Sequence, residues 1–118
     1  MEWMERLNEA IAYMEEHMQE EISFEEVAKI ACTSSYNSQR MFSYMTGISL
    51  SEYIRRRRMS LAAEELQQGT DKIIDIALRY QYASPTAFNR AFRSVHGIAP
   101  SKVRNAQDRK STRLNSSH

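Results

Sequence analysis

Residues 38–48 read S-Q-R-M-F-S-Y-M-T-G-I, and residues 88–98 read F-N-R-A-F-R-S-V-H-G-I. Gln39-Arg40-Met41-Phe42 with Gly47-Ile48 recurs as Asn89-Arg90-Ala91-Phe92 with Gly97-Ile98, at an offset of 50. The apolar spacing is helical in both copies, with Ser38, Met41, Phe42 and Met45 matching Phe88, Ala91, Phe92 and Val95 as the expected inward faces. Each copy ends on a glycine, the residue that most readily closes a helix in the left-handed conformation. Upstream, Val27-Ala28 answers to Ile76-Ala77 at an offset of 49, so the turns differ by one residue. Each unit therefore reads as a short helix, a tight polar turn and a second helix with a polar outer face, which is the helix-turn-helix plan.

Outward from these copies the rest of the chain also reads as helix. Leu7, Ile11, Met14 and Met18 predict an amphipathic helix over about residues 2–18, onto which Trp3 is expected to help pack the body. Ser23 with Glu26 forms a capping box for a helix from Phe24 to Ala31, with Ile22 set to staple onto Val27. Ser49 with Glu52 forms a second box, opening a helix that runs to about Gln68 and is closed by Gly69. Its roughly 18 residues span about 27 Å at 1.5 Å per residue. Ile73, Ile74 and Ala77 mark a fifth helix, Ser84-Pro85 caps and opens a sixth, and a short one follows Pro100. No segment alternates with a strand period. The expected fold is all-α, with about seven helices in two helix-turn-helix units: one over about 4–48, a linker helix over about 50–68, and one over about 71–105.

Charge is unevenly distributed along the 118 residues. Residues 1–31 hold nine Glu against Arg6 and Lys29, whereas residues 32–107 hold eleven Lys or Arg against five acids. Such a segregated field suits a polyanion docking on one side. No apolar run approaches the ~20 residues of a bilayer span, and the start is too acidic for a secretory signal. The single cysteine, Cys32, excludes an internal disulfide and suits a reducing cytoplasm. His17, His96 and His118 have no ligand-spaced partners, and no nucleophile–base pair or phosphate-binding Gly loop is visible. The expectation is a non-enzyme with no cofactor and no metal.

A helix that reads DNA needs side chains that reach base edges and phosphates from its first turns. The first candidate offers Tyr36, Asn37, Gln39, Arg40 and Ser43; the second offers Thr86, Ala87, Asn89, Arg90 and Arg93. Arg pairs with guanine, Asn or Gln with adenine, and a small methyl-bearing side chain meets the thymine methyl. The linker's length is on the scale of the ~34 Å between successive major grooves on one face. The alternative is a helical interaction module that presents a basic face to an acidic protein. It leaves unexplained why Arg, amide and hydroxyl groups recur at the same helical positions in both units. RNA binding would favour stacking platforms, for which Tyr36, Tyr44 and Tyr82 are scattered. In the run Arg55–Arg58, consecutive residues point all round a helix, so one or two are expected on DNA and the rest on acids or solvent.

Residues 73–104, I-I-D-I-A-L-R-Y-Q-Y-A-S-P-T-A-F-N-R-A-F-R-S-V-H-G-I-A-P-S-K-V-R, resemble the signature of the AraC/XylS transcription regulators, a likeness that extends over about residues 4–105. It implies that Tyr36, Gln39 and Arg40 face DNA in the first unit, and Pro85, Thr86, Asn89 and Arg90 in the second. Gln81 stands where that family usually has Gly, and Val103 where it usually has an aromatic. If the turn needs a positive φ, Gln81 costs on the order of 1 kcal/mol. The expected partners are double-stranded DNA and, as a candidate, RNA polymerase, with no membrane. The likeness further implies that a small-molecule effector would act only through a C-terminal domain missing from this chain, although stand-alone two-unit members also exist. Residues 108–118, D-R-K-S-T-R-L-N-S-S-H, lack apolar periodicity and resemble a translated sequencing adapter. They are expected to be a non-native tail, the natural protein continuing past Gln107.

Overall fold

The computed structural model describes residues 2–104, so the expected tail at 108–118 lies outside the described residues. Six helices run in order: α1 (Trp3–Glu16), α2 (Phe24–Ala31), α3 (Ser35–Thr46), α4 (Leu50–Gln68), α5 (Ile73–Arg79) and α6 (Pro85–His96). A further helical stretch, α7, occupies 100–104. The fold is all-α, as the periodicity predicts. The chain divides into two compact units at Arg57/Arg58, inside α4.

In the first unit, Ala10 and Met14 of α1, Val27 and Ala28 of α2 and Phe42 of α3 are buried with Leu50 and Ile54 of α4. The Phe42 ring meets Tyr53 edge-on, with centroids 5.3 Å apart. The first half of α4 is thus a wall of this core. A polar clasp adds to it. Arg57 donates to both Glu15 carboxylate oxygens, from Nε at 2.8 Å and Nη2 at 2.9 Å, and the Tyr53 hydroxyl donates to the same carboxylate. The Arg57 hydrogen bonds hold the Glu15 carboxyl below its usual range. Burial, reinforced by the adjacent carboxylate, pushes the Tyr53 phenol up to about 12.

In the second unit, Met59, Ala62 and Leu66 of α4 are buried together with Ile76, Ala77, Tyr80, Phe88, Ala91, Phe92 and Val103. Phe88 and Phe92 stack at a tilt with centroids 5.8 Å apart. Glu65 takes hydrogen bonds from Arg79 and from the Tyr80 hydroxyl, and Arg79 also pairs with Asp71 at 3.0 Å. Arg104 donates to the Leu66 carbonyl at 3.2 Å, satisfying an acceptor at the end of α4 where a cation is favoured.

Both capping boxes form on one side only. Ser23 accepts from the Glu26 amide and Ser49 from the Glu52 amide. The glutamates then find stronger partners than a backbone amide: Glu26 pairs with Lys29, while Glu52 takes Arg55 and Arg56. One further expectation needs correction. Met45 is 42% exposed rather than inward, because it lies about 60° from Phe42 on the last turn of α3, at the edge of the buried stripe. Trp3, although 42% exposed, lines an apolar hollow of the first unit with Leu7, Ala10, Met14 and Met41.

Candidate nucleic-acid interface

The two turns are built alike. Cys32 and Gln81 both have positive φ, at 61° and 74°. The Thr33 amide reaches back to the Ala28 carbonyl at 3.1 Å and the Cys32 amide to Lys29 at 3.0 Å. At an offset of 49, Tyr82 donates to Ala77 at 3.0 Å and Gln81 to Leu78 at 3.1 Å. This paired 6→1 and 5→2 pattern is a Schellman motif, which ends a helix through one left-handed residue. The turn that the Gln81 reading addressed therefore does require a positive φ, and Cys32 shares that requirement. The offset changes after the motif: Thr33 alone, against Tyr82 and Ala83, precedes the next cap.

Those caps are equivalent. Ser34 Oγ accepts from the Asn37 amide and Ser84 Oγ from the Ala87 amide, each at 3.1 Å. Neither α3 nor α6 has an acid in its first turn, so the positive end of each helix dipole is left for an anion. Both helices close on a left-handed glycine, Gly47 and Gly97. Phe42 in α3 and Phe88, Ala91 and Phe92 in α6 fix which face is buried.

The opposite face of α3 presents Tyr36, Asn37 and Arg40 to solvent, with Gln39 and Ser43 half-buried beside them. With about 100° per residue, Tyr36, Asn37, Arg40 and Ser43 fall within an arc of about 120°, and Gln39 lies just past its edge. On α6, Pro85, Thr86, Ala87, Asn89, Arg90 and Arg93 are all exposed. Every residue expected at a site thus lies on one of these two helices. Two contacts organise the α3 set. The Gln39 amide donates to Ser35 Oγ at 3.1 Å, and the Arg40 guanidinium lies 5.5 Å from the centre of the Tyr36 ring.

One residue of this face escaped the reading of the sequence. Tyr44 is 88% exposed and lies one turn beyond Arg40, inside the same arc. Its signal was the i, i+4, i+8 spacing of Tyr36, Arg40 and Tyr44. Together with Trp3, Asn37, Arg40, Met41 and Met45 it lines an open groove of about 280 Å³ on the first unit. The arginine run is largely occupied within the protein. Arg55 and Arg56 share Glu52, Arg57 holds Glu15, and burial lowers the pKa of Arg58.

A family model described as a helix-turn-helix domain matches residues 27–106, across both units. The chain belongs to the AraC-type helix-turn-helix family. It is 37% identical over 98 residues to the HTH-type transcriptional activator AarP of Providencia stuartii, covering 83% of this chain and 73% of AarP. It is 38% identical over 98 residues to the regulatory protein SoxS of Escherichia coli, covering 83% of this chain and 92% of SoxS. Among longer relatives, it matches 35% of the length of the regulator YbfP of Bacillus subtilis. An AraC-type transcriptional regulator from Chromobacterium violaceum superposes with a TM-score of 0.83 at 26% identity, covering 91% of this chain and 96% of that one. The DNA-binding domain of AdpA, solved with a target DNA, superposes with a TM-score of 0.75 at 29% identity, over 90% of this chain and 96% of that one.

Proposed function

We propose that this AraC-type chain is a sequence-specific double-stranded DNA-binding transcription regulator that enters two adjacent major grooves with α3 and α6. One observation carries the reading: the two helices share their serine caps, their buried aromatic and an outward set of Arg, amide and small polar groups, although their sequences otherwise differ. A buried face accounts for the repeated Phe. It does not account for Arg40, Asn89 and Arg90, which face outward, or for Gln39 at the edge of that face, all side chains of the kinds that pair with purine edges. Tyr36, Asn37 and Ser43 in the first unit, and Pro85, Thr86, Ala87 and Arg93 in the second, complete the contact surface with bases, methyl groups and phosphates. The functional boundaries follow the sequence reading, with units over about 4–48 and 71–105 and the linker over 50–68.

No helix among the described residues is long and apolar enough to cross a membrane, and no group of acids, histidines or cysteine there could hold a metal ion. We assign the chain a non-catalytic role in the bacterial cytoplasm. Its kinship with a transcriptional activator supports RNA polymerase as a second partner, and any small-molecule effector would act through a domain outside residues 2–104.

The test is binding to a random duplex library followed by footprinting of the selected site. The expected result is a monomer protecting an asymmetric site of about two helical turns, with affinity falling steeply as salt rises. Protection of a single turn, a palindrome bound only by dimers, or a salt-insensitive interaction would overturn the reading.

A further inference from the structure

The two candidate reading helices differ in how their side chains are held. On α3, each of the central reading residues touches a side chain one turn earlier. Ser35 Oγ accepts from Gln39 Nε2 at 3.1 Å, and the Tyr36 ring faces the Arg40 guanidinium at 5.5 Å. Both are i, i+4 pairs, the spacing at which helical side chains meet. On α6 the corresponding positions are Pro85 and Thr86. Pro85 has no hydroxyl to receive an amide and Thr86 no ring to face a guanidinium, so neither contact can be built for Asn89 or Arg90. Pro85 opens α6 well and Ser35 opens α3 well, since Ser34 and Ser84 do the capping in both. The difference therefore lies in side-chain organisation, not in helix formation.

Long side chains lose rotamer freedom when they bind, and each group so immobilised weakens the binding. A contact that already restricts them in the free protein removes part of that cost. We propose that Ser35 and Tyr36 are positioning residues that hold Gln39 and Arg40 in reading geometry before DNA arrives, and that α6 lacks this device. This rests on the DNA-reading role of α3. Tyr36 then acts through Arg40 as well as by any contact of its own, and its ring is the working part, because a cation meets the face of the ring, not the hydroxyl. The ring is 70% exposed, so losing it empties no core.

The experiment uses the full chain and the duplex it selects from a random library. Affinities are measured for wild type, Tyr36→Phe, Tyr36→Leu, Arg40→Ala and the Tyr36→Leu/Arg40→Ala double variant, together with Ser35→Ala and Gln39→Ala singly and combined. Tyr36→Phe keeps the ring and is expected to retain the coupling to Arg40 that Tyr36→Leu removes. Tyr36→Leu is expected to lose about two- to five-fold, the scale of an exposed cation–π contact. That loss should shrink towards nothing once Arg40 is already alanine, and the Ser35 effect should likewise disappear in Gln39→Ala. Tyr36→Leu should also relax preference at the same base pair that Arg40→Ala relaxes, a readout that general damage to the helix would not move. Thermal melts of all variants should coincide. If Tyr36→Leu costs the same with or without Arg40, or relaxes a different base pair, Tyr36 is a direct contact only and the proposal fails while the reading of α3 stands. If Arg40→Ala itself changes neither affinity nor base preference, the reading of α3 fails first.

Discussion

Cys32 offers a test of the turn geometry in the first unit. Its φ of 61° and ψ of 41° place an L-residue in the left-handed region. There the Cβ crowds the backbone at a cost of roughly 1–2 kcal/mol relative to the right-handed region. Cys32→Gly removes that cost. It also lets the unfolded chain roam more widely, which offsets the gain by about 0.5–1 kcal/mol. Little else is lost, because the side chain is exposed and its one described contact is a weak Sγ donation to the Ile30 carbonyl at 3.8 Å. The expected net gain is about 0.5–1 kcal/mol. For a unit of this size, that raises the melting midpoint by about 2–8 °C. The assay is thermal and urea unfolding, with the urea midpoint expected to rise at unchanged slope. Cys32→Ala serves as the control, since it removes the thiol but keeps the Cβ and should give no comparable gain. A glycine variant no more stable than the alanine variant would refute the strain argument.

Other outcomes follow from the same geometry. Phe42→Ala and Phe92→Ala each empty a fully buried ring position and should destabilise their own units by about 3–5 kcal/mol; melts near wild type for both would sink the inward-face assignment. Arg40→Ala and Arg90→Ala should each cost about 1–3 kcal/mol on a selected duplex and less on random DNA, whereas equal losses on both would make them phosphate contacts. The Tyr53 phenol is raised in the folded state to about 12 from its ordinary 10, so the stability it supplies is complete below pH 10 and is lost as the pH climbs from about 10 to 12. Tyr53→Phe should flatten that alkaline decline relative to wild type, and parallel curves for the two proteins in urea titrations would contradict it. Glu15 has the opposite sense: its lowered pKa gives stability that is present above about pH 4.5 and fades as the pH falls through the folded value.

What could be read from the residues was what is encoded locally. Phe24–Ala31 and the α4 terminus at Gln68 came directly from caps, glycines and apolar spacing, because a cap and its amide lie three residues apart. The repeat supplied the two outward faces in the same way, since burying Phe42 and Phe92 leaves Arg40 and Arg90 on the other side. Long-range pairing left no such trace. Glu15 meets Arg57 across 42 residues, and nothing in either neighbourhood distinguishes that partner from a nearer cation. Met45 misled because its spacing from Met41 and Phe42 fits the stripe, while whether anything covers that edge is a tertiary matter. Cys32 was opaque for another reason: left-handed turns are normally sought at Gly or Asn, and only the hydrogen bonds of the finished turn reveal its φ. Tyr44 is legible only through its position one turn beyond Arg40 and two beyond Tyr36, not through its residue type.

The arginines sharpen the division between affinity and architecture. Four in succession, Arg55–Arg58, invite the idea of a phosphate clamp, yet the helix turns them to different neighbours. Glu52 takes two of them and Glu15 a third, and the fourth is held where burial disfavours its charge. Arg79 is drawn in by Asp71 and Glu65, and Arg104 serves the carbonyls of Leu66 in α4 and of Asp71 in the loop after it. A guanidinium fixed on a carboxylate has half of its fork already engaged and presents little net charge to a phosphate. Arg40, Arg90 and Arg93 are different, since they stand exposed on helices whose first turns carry no acid. Arg57, Arg79 and Arg104 thus join helices within their units, while Arg55 and Arg56 pair along α4 itself. On the proposed reading, the arginines that meet DNA stand on the two helices that also carry Gln39 and Asn89. Attraction and base reading then share the same side chains, so changes at these few positions should alter both affinity and selectivity, while changes in the longer arginine run act first on the fold.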